Sequence, residues 1–235
     1  YHAPVPDRFA AFGSHYVEQF DEWGGYPASR VIPVGGLRHD VLVDQFDLRK
    51  TDGAREDQKL SLRGEYNLPE DRPVLLLCTA TKETAAMWFE MVVGAVQEQS
   101  LDAFIAVKLH QYHGGEEGVR RVAGHYSFAS YDVYTEDVYP LMAASDVLVG
   151  SASTTVLEGN LFGLNSIAIC ANQEYEVYPF SRDELADVVT DASEMGSALR
   201  RWLNGETKES SASSNLHQHL RNTEGSACCR LGSFL

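Results

Sequence analysis

Lysine, cysteine and long apolar runs are all scarce in this 235-residue chain. Only five of its 19 basic residues are lysine, and 34 acids outnumber them to leave a formal charge of −15. That surplus disfavours a general binder of nucleic acid or anionic membrane, because a phosphate-rich partner would be repelled. Any anionic ligand must therefore be held by local groups. An acid-rich, lysine-poor surface suits a salt-tolerant protein, and biased base composition explains it equally well. The four cysteines form no C-x-x-C pair and no Cys/His ligand spacing, so neither a disulfide framework nor a zinc site is indicated. Cys78 and Cys170 fall in apolar runs, where a thiol serves as a small core residue, and Cys228 and Cys229 adjoin in a polar stretch. No window approaches about 18 uninterrupted apolar residues, and the first residues lack the basic and apolar regions of a signal peptide. The expectation is a cytoplasmic protein, at most peripheral at the inner face of a membrane.

What is present is ordinary globular composition, 44% hydrophobic and 23% charged, enough for one large domain or two small ones. Strand-length apolar runs alternate with helical patterns, the sign of βαβ units and a doubly wound parallel α/β sheet. Strands are predicted near Arg8–Phe12, Arg30–Val34, Val74–Thr79, Phe104–Leu109, Ser130–Tyr134, Val147–Val149, Ser166–Cys170 and Val188–Thr190. The clearest helix is Glu83–Gln99, with Ala86, Phe89, Val92, Val93 and Val96 on one face and Thr81 or Thr84 as its cap. Between Asp44 and Arg72 mixed charges, Gly53 and Gly64 hide any period, which predicts a linker over 46–72. From Glu206 onward Ser, Asn, His and Gln dominate, which predicts a disordered tail over 206–235. Residues 73–205 then form a complete doubly wound unit. Residues 1–45 are the closing βαβα portion of a truncated first domain, and Gly13-Ser14 at the end of its first strand is a place for an acceptor to approach.

The stretch Ser145–Ile169, SDVLVGSASTTVLEGNLFGLNSIAI, carries the most chemistry. A strand ends near Val149, and Gly150, Ser151, Ser153, Thr154 and Thr155 follow before a helix begins. Small residues let a ligand reach the backbone, and free N–H groups with the helix dipole favour a phosphate there. Ser153 or Thr154 would cap the helix and could donate to phosphate oxygens. Glu158, about one turn on, is within reach of a ribose whose diphosphate sits at the helix start. The plain alternative is a capping turn followed by a solvated glutamate. Lys108 and His110 project to one side of a strand near its carboxyl end, the edge where open α/β sheets bind ligands. Thr79 and Lys82 flank another loop at that edge.

The order of strand, Gly/Ser/Thr-rich turn, helical Glu, Gly163 and new strand resembles the donor-binding segment of GT-B nucleotide-sugar transferases. The wider string YDVYTEDVYPLMAASDVLVGSASTTVLEGNLFG is similar to those enzymes, to CDP-glycerol glycerophosphotransferases and to UDP-N-acetylglucosamine 2-epimerases. Upstream, RVIPVGGLRHD over Arg30–Asp40 resembles the segment that closes the family's N-terminal domain. Lys108-Leu109-His110 resembles a Lys-x-His-Pro motif, with Gln111 where the family has Pro.

The resemblance implies a GT-B C-terminal Rossmann-like domain that transfers a sugar or glycerol-phosphate group from a nucleotide-activated donor. It places ribose binding on Glu158 and base contacts on the loop at Tyr134 and Thr135. Tyr126, Tyr131, Tyr134 and Tyr139 could instead stack a base, although tyrosines beside strands more often pack. Stabilising a diphosphate leaving group is an electrostatic task, assigned to Lys108, His110 and Arg38. Asp40 reads equally as a cleft residue or as a structural link with Arg38. No metal or other cofactor is implied, since no Asp-x-Asp motif is present. The partners implied are a nucleotide-sugar or CDP-glycerol donor, a glycan or polyol acceptor, and a missing N-terminal domain, a second chain or another copy. The alternatives are a UDP-sugar epimerase or hydrolase of the same fold and a non-catalytic nucleotide-binding subunit. The lack of G-x-G-x-x-G after a strand weighs against a dehydrogenase.

Overall fold

A run such as Val74-Leu75-Leu76-Leu77 has no polar side to turn to water, so a strand built from it must be covered on both faces. The computed structural model describes residues 6–46, 48, 52–112, 114–126, 130–151, 153–170, 180, 183–204, 206, 211–220 and 226–234. In chain order come β1 (Phe9–Ala11), α1 (His15–Gly24), β2 (Val31–Pro33), α2 (Leu37–Gln45), α3 (Asp52–Glu65) and β3 (Val74–Cys78). Next are α4 (Lys82–Glu98), β4 (Phe104–Lys108), α5 (Glu116–Ala123), β5 (Tyr131–Tyr134), α6 (Val138–Ala144) and β6 (Val147–Ser151). The chain continues through α7 (Thr154–Leu161), β7 (Asn165–Ile169), β8 (Asp187–Val189), α8 (Ala192–Leu203), α9 (Ser211–His219) and α10 (Ala227–Phe234). Two compact units result, Tyr1–Lys50 with Ser210–Leu235, and Thr51–Glu209.

The larger unit holds a six-stranded parallel sheet in the order β5-β4-β3-β6-β7-β8. On one face Leu75, Leu77, Ile105, Val107, Val149 and Ile167 meet Phe89, Val92 and Val93 of α4, Val119 of α5 and Leu199 of α8. On the other, Val74, Leu76, Ala106 and Leu148 meet Leu141 and Met142 of α6 and Leu62 of α3. Strand β6 runs two residues past the predicted Val149, because Gly150 and Ser151 keep their parallel register with Ala168 and Ile169.

The predicted linker contains α3. Its helical period was masked because an ionic clamp, more than an apolar stripe, ties it to the sheet. Buried Arg63 donates from Nη2 to Asp146 at 2.6 Å and from Nε to the Ala144 carbonyl at 2.9 Å. Lys59 Nζ reaches the other Asp146 oxygen at 2.5 Å, and the Val74 N–H donates to the same carboxylate at 2.7 Å. One carboxylate thus joins helix and strand.

In the smaller unit β1 and β2 pair in parallel, Phe9 opposite Val31 through Ala11 opposite Pro33, with α1 between them in sequence. Here the expected disordered tail is corrected: 211–219 and 227–234 are helical and fold back onto this unit. Buried Leu216, Leu220 and Ala227 supply its apolar contacts. Asp40 accepts the N–H groups of Ala227 at 3.1 Å and Cys228 at 2.9 Å, so an anion caps the positive end of α10. Asp40 is therefore a structural link, with α10 as the partner seen here; a hydrogen bond to it pushes the Cys228 thiol up from its ordinary range. Arg230 Nε donates to the Val34 carbonyl at 2.7 Å. A side chain on Gly13 would put Cβ 2.0 Å from the Gln218 carbonyl oxygen, so glycine is what lets α9 end there. Gly13 is buried by that approach and is not open to an acceptor.

Candidate functional site

Strands β3 and β6 lie side by side, yet their following helices part to opposite faces. Ala85, Trp88 and Phe89 of α4 pack on the Leu75 and Leu77 face. Helix α7 stands on the face of Leu148 and Ser166, so close that a Cβ at Gly159 would lie 2.4 Å from Leu148 Cδ2. Adjacent strands whose helices diverge leave a crevice at their carboxyl ends, the place where open α/β sheets take ligands.

Two helices start at this crevice, and their termini differ. Helix α4 is closed by a capping box: the Thr84 N–H donates to Thr81 Oγ1 at 3.2 Å, and the Thr81 N–H donates to Thr84 Oγ1 at 2.9 Å. Ser153 stands at the N-cap of α7 in extended conformation, but its hydroxyl makes no cap hydrogen bond. Among the described residues no side chain caps this first turn, so the N–H groups of Thr154 and Thr155 can take an external acceptor, with the helix dipole behind them. Gly150, at the end of β6, leaves the crevice wall low: a Cβ there would meet Cys78 and Val156 only at ordinary contact, 3.7 Å. Ser151 and Thr155 are half-buried beside it.

Lys108 ends β4 opposite Cys78 and is 9% exposed. Its Nζ donates to the Leu109 carbonyl at 2.5 Å. Burial pushes the ammonium below its ordinary range, with Cys78, Glu136 and Asp137 pulling the other way. An ammonium has three donors, so an anion arriving at this edge would relieve an expensive charge. His110 is exposed in the loop beyond the strand, and its Nδ1 accepts the Tyr112 N–H at 3.4 Å, which leaves Nε2 as the protonated nitrogen of the neutral ring.

Thr79 is pinned inside the fold. Its hydroxyl donates to the Lys108 carbonyl at 3.4 Å and accepts the His110 N–H at 3.3 Å, which fixes the loops after β3 and β4 to one another. Lys82, exposed, opens α4. Thr135 follows the outer strand β5, two strands from β3 and so roughly 10 Å away at about 4.8 Å per strand, and its N–H donates to Glu136 at 2.9 Å. Arg38 lies on α2, in the smaller unit. All the other predicted site residues gather at the carboxyl edge of one sheet.

Glu158 is buried on α7 at 3% exposure, where solvation had been the plain alternative. Tyr139 of α6 donates its hydroxyl to Glu158 Oε2 at 3.3 Å. Half-buried Cys78 feels the charges of both Lys108 and Glu158, and burial pushes its thiol up to about 12, which keeps it protonated and unreactive. The other tyrosines pack: Tyr131 lies 5.1 Å from the ring of Phe89, Tyr134 donates to the Tyr66 carbonyl at 3.2 Å, and Tyr126 adjoins the core. A groove of about 450 Å³ beside β5 is lined by Glu65, Tyr66, Asp132, Tyr134 and Glu136. Its acidity disqualifies it as a phosphate site. Local sequence pattern could not reveal the switch point, because strand order is a long-range property, nor the bond from Tyr139 to Glu158.

No protein-family model matches the chain, and no curated protein matches it in sequence. Solved structures do match. Wall teichoic acid polymerase TagF superposes with a TM-score of 0.62 at 16% identity, covering 97% of this chain and 57% of that one. The chain carries the Rossmann-like α/β architecture of a GT-B fold. A glycosyltransferase from Rickettsia africae ESF-5 matches at TM-score 0.61 and 13% identity, over 97% of this chain and 62% of its own. The UDP-GlcNAc 2-epimerase from Neisseria meningitidis, bound to UDP-GlcNAc, matches at 0.68 and 11%, over 97% and 61%. The chain thus spans about three fifths of the length of these GT-B neighbours. No helix among the described residues is long and apolar enough to cross a membrane.

Proposed function

We propose that the larger unit is the donor-binding part of a transferase that moves a sugar or glycerol-phosphate group from a nucleotide-activated donor to a hydroxyl acceptor. The observation that carries this reading is the open α7 terminus at the β3/β6 switch point, on the same sheet edge as the buried ammonium of Lys108. The diphosphate sits on the N–H groups of Thr154 and Thr155 and the hydroxyl of Ser153, with Gly150 and Ser151 giving the backbone access. Glu158 takes the ribose hydroxyls from below, and Thr79 holds the loop that carries His110 against the Lys108 carbonyl.

As the bond to the leaving phosphate breaks, negative charge grows on the diphosphate oxygens. Lys108 and the Nε2–H of His110 meet that charge, and the α7 dipole adds to it. Lys82 and Thr135 are outer donors, for a terminal phosphate and the base. These groups supply the positive charge the step needs without a metal. The acceptor is a glycan or polyol of surface-polymer synthesis.

A second reading, epimerisation or hydrolysis of a UDP-sugar, is favoured by the TM-score of 0.68 to the 2-epimerase. Products from labelled donor separate the two. The common core of both readings is tested by thermal shift with CDP, UDP and GDP on the wild type and Glu158→Ala. A rise in Tm with one diphosphate, weakened by about 1–3 kcal/mol of affinity in the variant, supports ribose binding by Glu158. A folded variant that binds as tightly as the wild type refutes it.

A further inference from the structure

We infer that Tyr139 is a positioning residue for Glu158, holding its carboxylate in the orientation that receives a ribose; this rests on the donor-site reading above. Tyr139 is fixed at two points. Its ring stacks on Phe162, centroids 6.2 Å apart and planes 12° from parallel, and its hydroxyl donates to Glu158 Oε2 at 3.3 Å. Glu158 and Phe162 are four residues apart, on one side of α7 and its C-cap, so a single side chain of α6 grips both.

The two contacts ask for different atoms. Packing on Phe162 needs only a ring, which phenylalanine would provide. The hydroxyl is the part that a purely apolar contact would not require, and it is spent on a carboxylate buried in a helix. Its neighbours on α7, Val156, Leu157, Gly159 and Leu161, are all buried, so the helix is covered around most of its circumference. A glutamate is expensive there. A free carboxylate would also rotate about its last side-chain torsion, which is broad and weakly restrained. A bond to one oxygen stops that rotation and presents the remaining acceptor positions in a fixed plane. Two adjacent sugar hydroxyls need such a plane, because they must donate to it together.

The test is to measure the affinities of CDP and UDP, and of their 2′,3′-dideoxy forms, for the wild type, Tyr139→Phe and Glu158→Ala. The ring stacking survives in Tyr139→Phe, so Tm is expected to move by less than about 4 °C. Its affinity for the ribonucleotide falls about three- to tenfold, the worth of one hydrogen bond, while its affinity for the dideoxy form stays unchanged. Wild-type affinity in Tyr139→Phe, with weakened binding in Glu158→Ala, overturns the positioning role and leaves the Glu158 reading standing. Equal loss for both sugar forms also overturns it, because that is a general packing effect. Unchanged binding in both variants removes the Glu158 reading and this inference with it.

Discussion

Helices α4 and α7 begin on either side of one crevice, and the sequence treats their first turns differently. Thr81 and Thr84 satisfy the start of α4 reciprocally, whereas Ser153 leaves the start of α7 without a side-chain cap. Both openings are rich in hydroxyls, so composition alone would make them equivalent. The difference lies in where the hydroxyls are spent. A terminus that the protein has already satisfied is a structural device, and one it leaves open on the sheet edge that also carries a buried ammonium is a place for an anion. The account therefore sends the phosphates to α7.

The largest expected effect concerns the platform from which both helices start. Asp146→Ala strands Arg63 as an uncompensated buried charge and should cost about 3–5 kcal/mol in urea unfolding. Nucleotide affinity of the remaining folded protein should not change, since the clamp lies at the other edge of the sheet. A loss of affinity there would show that the crevice depends on α3.

Next comes Lys108→Met, expected to weaken nucleoside diphosphate binding by about 1.5–3 kcal/mol while sparing the nucleoside. The pH dependence has a definite sign. Burial lowers the Lys108 ammonium below its ordinary range, so diphosphate affinity is fully present below that lowered value and is lost as pH rises through it. The unfolded chain keeps the same proton to higher pH, so this group makes the fold more stable across that window. Binding that weakens while stability does not is the signature, read by calorimetric titration over an alkaline series. A flat profile in Lys108→Met confirms the source.

These two effects bear on what could be read in advance. The four central strands were legible because β3, β4, β6 and β7 are buried on both faces and must be apolar. The Gly150–Thr155 turn was legible because small and hydroxyl residues stand out between such runs. Helix α3 was not, because Arg63 and Lys59 find their partner Asp146 more than 80 residues away. Helix α10 was hidden for the same reason: its cap, Asp40, lies 187 positions earlier than Ala227. Glu158 stood out in the sequence but its burial did not, since that burial and the bond from Tyr139 depend on α6 packing beside α7.

The comparison is sharpened most directly by paired cap variants. Thr81→Ala should cost about 1 kcal/mol of stability and leave diphosphate affinity alone. Ser153→Ala should leave stability within a few tenths of a kcal/mol and weaken diphosphate binding by about 1 kcal/mol. Urea melts and titrations on both proteins check this; the reverse pattern would exchange the roles of the two helices. The last variant, Gly150→Ala, bears on the crevice wall. The added methyl makes only ordinary contacts at 3.7 Å, so the fold should tolerate it within about 1 kcal/mol while the narrowed wall reduces diphosphate affinity severalfold.

The central claim is that a nucleotide's phosphates sit on the N-terminus of α7. Amide-resolved hydrogen exchange, with and without saturating CDP or UDP, reads this directly. The account predicts new protection at Thr154 and Thr155, with the amides of Glu83 and Thr84 in α4 unchanged. Protection at Glu83 and Thr84 with none at Thr154 and Thr155 would contradict it.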